Sequence, residues 1–269
     1  MIPTVLAPSP PASPVRVLCF HHAGGGASAF ASWPRALGPR WEPLGVRLPG
    51  RETRLHEARV TRHEVLLDQL DDDLGPLLDA PYLLYGHSLG GLVAYAFAGR
   101  QTRLGRPPLA LLVGACPPPH VAPALTLTGD TDDTRLLAAL SRLGGIPAEV
   151  LSRAGLLRRT LDLIRDDLRL AKSLRTACHG RLAVPLYTFA GDRDPVADPR
   201  TMLGWSRYTT GPFHGHEVPA GHFFHSDPDF LALLRTHLAR LLTGTPRAFP
   251  EPSTDHTEAQ CPTSVCSDR

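Results

Sequence analysis

The 269 residues carry 28 basic and 26 acidic side chains, for a formal net charge of +2, and are 42% hydrophobic and 20% charged. A chain of that length and balance can bury a large core, gives no reason to expect nucleic acid or a membrane as partner, and has no apolar run near the roughly 18 residues of a bilayer span. Five scattered cysteines, an odd number, make neither a disulfide framework nor a spacing suited to zinc, and no metal site is expected.

Residues 1–14 hold five prolines and no basic residue, so they read as a disordered segment rather than a targeting sequence, and the cytoplasm is the expected location. Val15-Arg16-Val17-Leu18-Cys19-Phe20 predicts the first strand, with Cys19 as a small buried apolar group. It empties into His21-His22-Ala23-Gly24-Gly25-Gly26-Ala27-Ser28, a glycine-rich turn whose backbone N–H groups can face an anion. A phosphate loop would need G-x-x-x-x-G-K-[ST] or G-x-G-x-x-G, and neither fits. The paired histidines are expected to shape the turn.

Residues 43–48 predict a second strand ending in Pro49-Gly50-Arg51-Glu52. Thr61-Arg62-His63-Glu64 reads as a capping box for a helix with Leu66, Leu70, Leu74 and Leu77 on one side. Asp71-Asp72-Asp73 within it reads as a solvated face. Residues 82–85 are a short apolar strand, and 109–113 another, stopped by Cys116-Pro117-Pro118-Pro119-His120. Residues 117–184 then change character. Helices are predicted over 131–143, closed by Gly144-Gly145, and over 156–173, with Pro147 in a first turn between them. This block interrupts an alternating β/α order and reads as an inserted helical lid. Strand character resumes over 184–190, a short helix opens near Pro199, a last strand lies around 216–218, and a closing helix runs from Ser226 or Asp227 to Leu242. Residues 244–269 are polar, lack periodicity and read as disordered, which leaves one domain over 15–243.

The chemistry centres on Gly86-His87-Ser88-Leu89-Gly90-Gly91, set between the 82–85 strand and an apolar helix opening near Leu92. This is G-x-S-x-G in the strand–turn–helix context that makes it a nucleophile elbow, with Ser88 at the tip and the helix N-terminus aimed at developing charge. A serine hydroxyl needs an imidazole to take its proton, and the imidazole needs a carboxylate to fix its tautomer. Of thirteen histidines, His222 is favoured, because it lies between the last strand and last helix beside Gly221 and two phenylalanines. His225 reads as part of the helix entry. His214 and His216 alternate along a strand without a further ligand at metal spacing. The acid is Asp194 or its near neighbour Asp192, both just past the 184–190 strand, with Asp194 at the usual reach. The order Ser88, Asp194, His222 is that of α/β-hydrolases.

Together, His21-His22-Ala23-Gly24-Gly25, Leu48-Pro49-Gly50-Arg51-Glu52, the Ser88 elbow, Leu143-Gly144-Gly145-Ile146-Pro147, Gly191-Asp192-Arg193-Asp194 and Gly221-His222-Phe223-Phe224 resemble a type II thioesterase. These are the stand-alone editing enzymes of polyketide and nonribosomal peptide synthesis, and the resemblance covers about 15–242. It implies an α/β-hydrolase fold, a mostly parallel central sheet flanked by helices with an inserted lid. It implies hydrolysis of acyl groups from the phosphopantetheine arm of an acyl or peptidyl carrier protein, an oxyanion hole at the N–H groups of Leu89 and Ala23, no cofactor and a monomer. Gly114-Ala115-Cys116 departs from the Ser-Gly-Arg-like start often found there. A small-molecule carboxylesterase, a chain-terminating thioesterase, or an inactive binding protein on the same fold are the competing readings.

Overall fold

The structure is a computed structural model and describes residues 14–122 and 127–243. The disorder expected of 1–14 and 244–269 concerns stretches outside the described residues, Pro14 apart. The strands are β1 (Val15–Phe20), β2 (Trp41–Gly45), β3 (Tyr82–His87), β4 (Leu111–Gly114), β5 (Leu186–Gly191) and β6 (Phe213–Val218). They form one six-stranded sheet in the order β2-β1-β3-β4-β5-β6, and every pairing is parallel. The central strands are near-continuous apolar runs because both faces of a parallel sheet are covered.

The helices are α1 (Trp33–Leu37), α2 (His63–Leu74), α3 (Leu89–Arg103), α4 (Asp133–Leu143), α5 (Ala148–Leu151), α6 (Ala154–Ala177), α7 (Pro199–Met202) and α8 (Pro228–Thr243). The period-2 alternation of the strands divides the core in two. Val15, Val17, Cys19, Leu83, Tyr85 and Phe189 pack with Trp33 and Leu37 of α1 and Phe230, Leu234 and Leu238 of α8. Leu18, Phe20, Leu84 and Val113 face the other way, onto Leu66, Leu67 and Leu70 of α2, Leu92, Val93 and Phe97 of α3, and Leu170 and Leu174 of α6.

The helical block over 117–184 lies between β4 and β5, and α6 belongs to two cores at once. Its C-terminal half packs on α3 in the main core, while Leu161 and Ile164 meet Leu136, Leu140 and Ile146 in a small core of the insertion itself. The ends of α4 are set locally: the Asp132 carboxylate accepts the Arg135 N–H at 2.9 Å, and Gly144 at φ 70° closes the helix in the left-handed region.

Several boundaries differ from the sequence reading. β2 lies two residues earlier than 43–48, β4 and β5 start two residues later than predicted, and α6 extends from 156–173 to Ala154–Ala177. The short α1, with Pro34 in its first turn, was not predicted; five residues are too few to show a period. The capping box at Thr61 does not form. Arg62 is the N-cap residue without a side-chain bond, and the N–H of His63, the first helical residue, donates at 3.0 Å to the hydroxyl of Ser173 on α6. Asp71 is not simply solvated either, since Arg100 and Gln101 of α3 both bond its carboxylate.

The strand order reverses between β1 and β3, which lie side by side although β2 intervenes in sequence. Loops leaving neighbouring strands at such a reversal diverge and open a crevice at their carboxyl ends. The glycine-rich turn after β1 and the Ser88 turn after β3 therefore face one another. Because α6 is pinned by its second half, Leu174→Ala should lower stability by about 2–5 kcal/mol. The exposed Leu156→Ala should change it by no more than about 0.5 kcal/mol. Urea denaturation midpoints of the two variants would check this.

Candidate active site

β3 delivers the chain into Ser88 at φ 55° and ψ −119°, a conformation outside the usual regions for a side-chain-bearing residue. Such a residue costs on the order of 1–3 kcal/mol and persists only where its surroundings over-determine it. Here they do: a Cβ on Gly86 would collide with the Gly90 carbonyl, and one on Gly90 with the Phe20 carbonyl of β1. The Ser88 N–H donates to the Gly114 carbonyl at 2.8 Å, and the Gly91 N–H returns to the Ser88 carbonyl at 2.9 Å. The hydroxyl is thereby held at the tip of α3.

The structure brings Ser88, His222 and Asp194 together. His222 Nδ1 lies 2.8 Å from Asp194 Oδ2, and Nε2 lies 3.1 Å from Ser88 Oγ. A carboxylate can only accept, so the imidazole proton sits on Nδ1 and Nε2 is left to accept from the Ser88 hydroxyl. Asp194 is buried, and its other oxygen accepts the Val196 N–H at 2.8 Å. Asp192 is exposed and faces Arg193 at 3.7 Å, away from the imidazole. His87, inside the elbow, holds the His222 turn. The His222 carbonyl accepts from His87 Nε2 at 2.8 Å, so His87 Nδ1 is the acceptor for the Tyr85 hydroxyl at 2.9 Å. His225 is buried next to His87 and His22, its ring centroid 4.8 Å and 5.2 Å from theirs. His214 stacks on Tyr187, and His216 packs against Phe189 and His237.

Leu89 opens α3, so its N–H has no partner within the helix. Ala23, Leu89, Ser88 and His222 line one cavity. The neighbouring N–H groups of the glycine-rich turn are already committed to carboxylates of the protein. Glu52 accepts from Ala27 at 3.1 Å and Ser28 at 2.9 Å, and Asp167 accepts from Gly24 at 2.7 Å. Burial alone would raise the Glu52 carboxyl, but hydrogen bonds from Ser28, Arg47 and Ala27 bring it down to about 2. The anion sites suggested by the glycines are thus mostly filled from within. Among the described residues, no acceptor is found for the Ala23 N–H.

Two residues at this site carried no functional reading in the sequence. Arg51 and Asp167 form a buried, two-pronged ion pair, Nη2 to Oδ1 at 2.8 Å and Nη1 to Oδ2 at 3.0 Å. Arg51 Nη1 also donates to the Gly25 carbonyl at 3.1 Å. Arg51 stood out only as part of a motif, and Asp167 is one of several acids in the 117–184 block. Their separation of 116 positions leaves no local signal.

The cavity beside Ser88 has a volume of about 460 Å³ and runs under α4 and α6. Leu92, Leu140, Leu143, Ile164, Leu168 and Phe223 make its walls largely apolar. A wider cavity of about 630 Å³ lies on the other side of the glycine-rich turn, and His22 borders both. An apolar cavity that ends on a hydroxyl and an imidazole, with Ala23 and Leu89 beside them in its lining, can hold an acyl chain with its carbonyl at the hydroxyl.

Comparison with known proteins agrees with this arrangement. The family model described as the thioesterase domain matches residues 15–241. The chain is 35% identical over 219 residues to thioesterase PikA5 of Streptomyces venezuelae, across 81% of this chain and 78% of that protein. Among solved structures it is similar to RedJ, a thioesterase from the prodiginine biosynthetic pathway in Streptomyces coelicolor, at 34% identity and a TM-score of 0.76, covering 86% of this chain and 95% of RedJ. It is likewise similar to BorB, the type II thioesterase from the borrelidin biosynthetic cluster, at 33% identity and a TM-score of 0.72, covering 85% of this chain and 94% of BorB.

The imidazoles around the site give a pH expectation. Burial lowers His21, with the Arg51 charge adding to it, and burial lowers His225, with His222 adding to it; both come to about 4. Burial pushes His22 and His87 well below the usual histidine range. Unfolded histidine titrates near ~6.5, so between there and about 4 the unfolded chain binds more protons than the folded one. Stability should be complete above pH ~6.5 and decline as the pH falls towards about 4. His225→Phe, which keeps a ring in place and removes one such group, should make the decline shallower; thermal midpoints measured across that range would check it.

Proposed function

The chain belongs to the thioesterase family, and from that premise we propose that Ser88, His222 and Asp194 hydrolyse acyl thioesters carried on the phosphopantetheine arm of a carrier protein. The continuous line of hydrogen bonds from Asp194 through His222 to Ser88, opening on an apolar cavity, is the observation that carries this reading. Ser88 Oγ bonds to the thioester carbon while its proton passes to His222 Nε2 and the carbonyl electron pair moves onto oxygen. The N–H groups of Leu89 and Ala23 face that oxyanion, and one such donor is typically worth about 3–4 kcal/mol. The carbon–sulfur bond then breaks, and the leaving thiolate takes the proton from His222. Water, deprotonated by the same imidazole, attacks the acyl-serine ester and releases the free acid, and Ser88 recovers its proton.

Several features support the finer reading. RedJ comes from a biosynthetic pathway and BorB, a type II thioesterase, from a biosynthetic cluster, which fits removal of unwanted acyl groups from a synthase. The insertion covers the cavity as a lid would. It holds ten basic against seven acidic side chains, and Asp167, one of the seven, is buried against Arg51 and adds nothing to its surface. A modestly basic rim suits an acidic carrier protein met transiently by a monomer in the cytoplasm.

Two expectations follow directly. Ser88→Ala should fold normally and lose thioester hydrolysis by on the order of 10⁴–10⁶. Asp194→Asn, which destroys the imidazole tautomer, should lose roughly 10⁴, whereas Asp192→Asn should lose far less. Steady-state turnover of an acyl-pantetheine measures all three, and a tenth of normal activity in Ser88→Ala would overturn the assignment. Separately, hydrolysis of an acyl-carrier protein should slow as salt screens charge over a Debye length of about 8–10 Å. The same acyl group on free pantetheine should be insensitive, and equal salt responses would argue against charge-steered docking.

A further inference from the structure

The insertion between β4 and β5 does more than roof the cavity. Asp167 on α6 reaches down to accept the Gly24 N–H at 2.7 Å, one residue past Ala23. Arg51, from the loop after β2, bonds both oxygens of that carboxylate and the Gly25 carbonyl. Gly24 has φ +76° and no room for a Cβ, because Ile164 of α6 lies against it. Arg51 and Asp167 are 5% and 1% exposed, so water does not compete for these bonds. Three separate segments are thus locked together at the peptide next to the Ala23 N–H.

We propose that Arg51 and Asp167 are positioning residues of the oxyanion hole, which hold the glycine-rich turn so that the Ala23 N–H faces Ser88. They act through Gly24 and Gly25 and do not touch the acyl group. The inference rests on the thioester hydrolysis proposed above. Two physical consequences separate it from a purely structural tie. First, a hole that presents its second donor only while Asp167 is seated on Gly24 is complete only with the second half of α6 in place. Opening of the insertion for substrate must then come from α4, α5 and the start of α6, whose small core is separate from the main one. Second, a bare carboxylate this close to a developing oxyanion would repel it, and the Arg51 charge cancels that repulsion.

The test uses the full-length protein, turnover of octanoyl-pantetheine, and a trifluoromethyl ketone analogue of that substrate. Ser88 adds to the ketone carbon, its proton passes to His222, and the carbonyl oxygen becomes an anion held like that of the transition state. Asp167→Ala should lower kcat by roughly 10–100-fold with KM within about 3-fold, a part of the 10²–10³-fold loss seen when an oxyanion donor is removed outright. Affinity for the ketone should fall in parallel, and affinity for octanoic acid should not. Arg51→Lys, which keeps the charge beside Asp167 but loses the second prong and the tie to the Gly25 carbonyl, should fall between the natural enzyme and Asp167→Ala in kcat and in ketone affinity alike. The single variant leaves a buried charge unpaired and is liable to misfold, so the double variant Arg51→Met/Asp167→Leu carries the decision. Replacing a buried ion pair by apolar residues of similar size is often neutral or stabilising. It should therefore recover the thermal midpoint while kcat and ketone affinity stay low, because Gly24 still lacks its acceptor. Recovery of activity together with stability, or ketone affinity unchanged in the variants, would overturn the proposal. If the natural protein itself hydrolyses no acyl thioester, it is the underlying functional reading that fails.

Discussion

Everything at this site depends on the close approach of α3 to the sheet at Ser88. The serine backbone is held at a positive φ because Gly86, Gly90 and the Phe20 carbonyl meet with no space for side chains. That single constraint puts the hydroxyl at the helix N-terminus, leaves the Leu89 N–H unpaired within the helix, and sets β1 hard against the elbow. The turn leaving β1 then has no choice but to lie over Ser88. The strain is affordable because β3 and α3 are buried along nearly their whole length and cannot yield.

Around that fixed point, the protein uses its own carboxylates to shape the loops. A glycine-rich turn at the end of a strand presents several N–H groups, and left alone it would bind whatever anion came near. Glu52 and Asp167 occupy three of these groups, and each carboxylate is paired in turn with an arginine, Arg47 or Arg51. The result is a turn whose Gly24, Ala27 and Ser28 N–H groups are taken by carboxylates, while that of Ala23 has no acceptor among the described residues. The four histidines nearest the site follow the same logic. Burial keeps His21, His22, His87 and His225 neutral near pH 7, so they pack and bond without adding charge beside His222.

The insertion resolves a conflict between access and order. A cavity for an acyl chain needs walls of apolar side chains, yet those walls must part for substrate to enter. The division of α6 between the main core and a small satellite core provides both, a fixed half bearing Asp167 and a half that packs mainly within the insertion itself. Local stability follows the number of buried apolar contacts, so the satellite core is the part expected to loosen first.

Much of this was legible in the amino-acid sequence, and the limits have a physical cause. The central strands, the elbow and the order Ser88, Asp194, His222 depend on short-range features, apolar runs, obligatory glycines and loop positions after strands, and these are written locally. The choice between Asp192 and Asp194 was narrowed but not closed by sequence, because both carboxylates leave the same turn and only the direction of the chain over β6 decides which meets His222. The capping box at Thr61 looked sound locally, but the helix starts one residue later, with its first N–H taken by Ser173, a partner 110 positions away. Asp167 carried no reading in the sequence, and only the fold placed it beside Arg51 and Gly24. By itself the sequence determined which elements form and which residue types stand at the carboxyl ends of the strands. Only the tertiary structure decided which polar groups pair in the interior, because once water is excluded each buried charge or N–H must take the partner that packing brings to it, however distant in the chain.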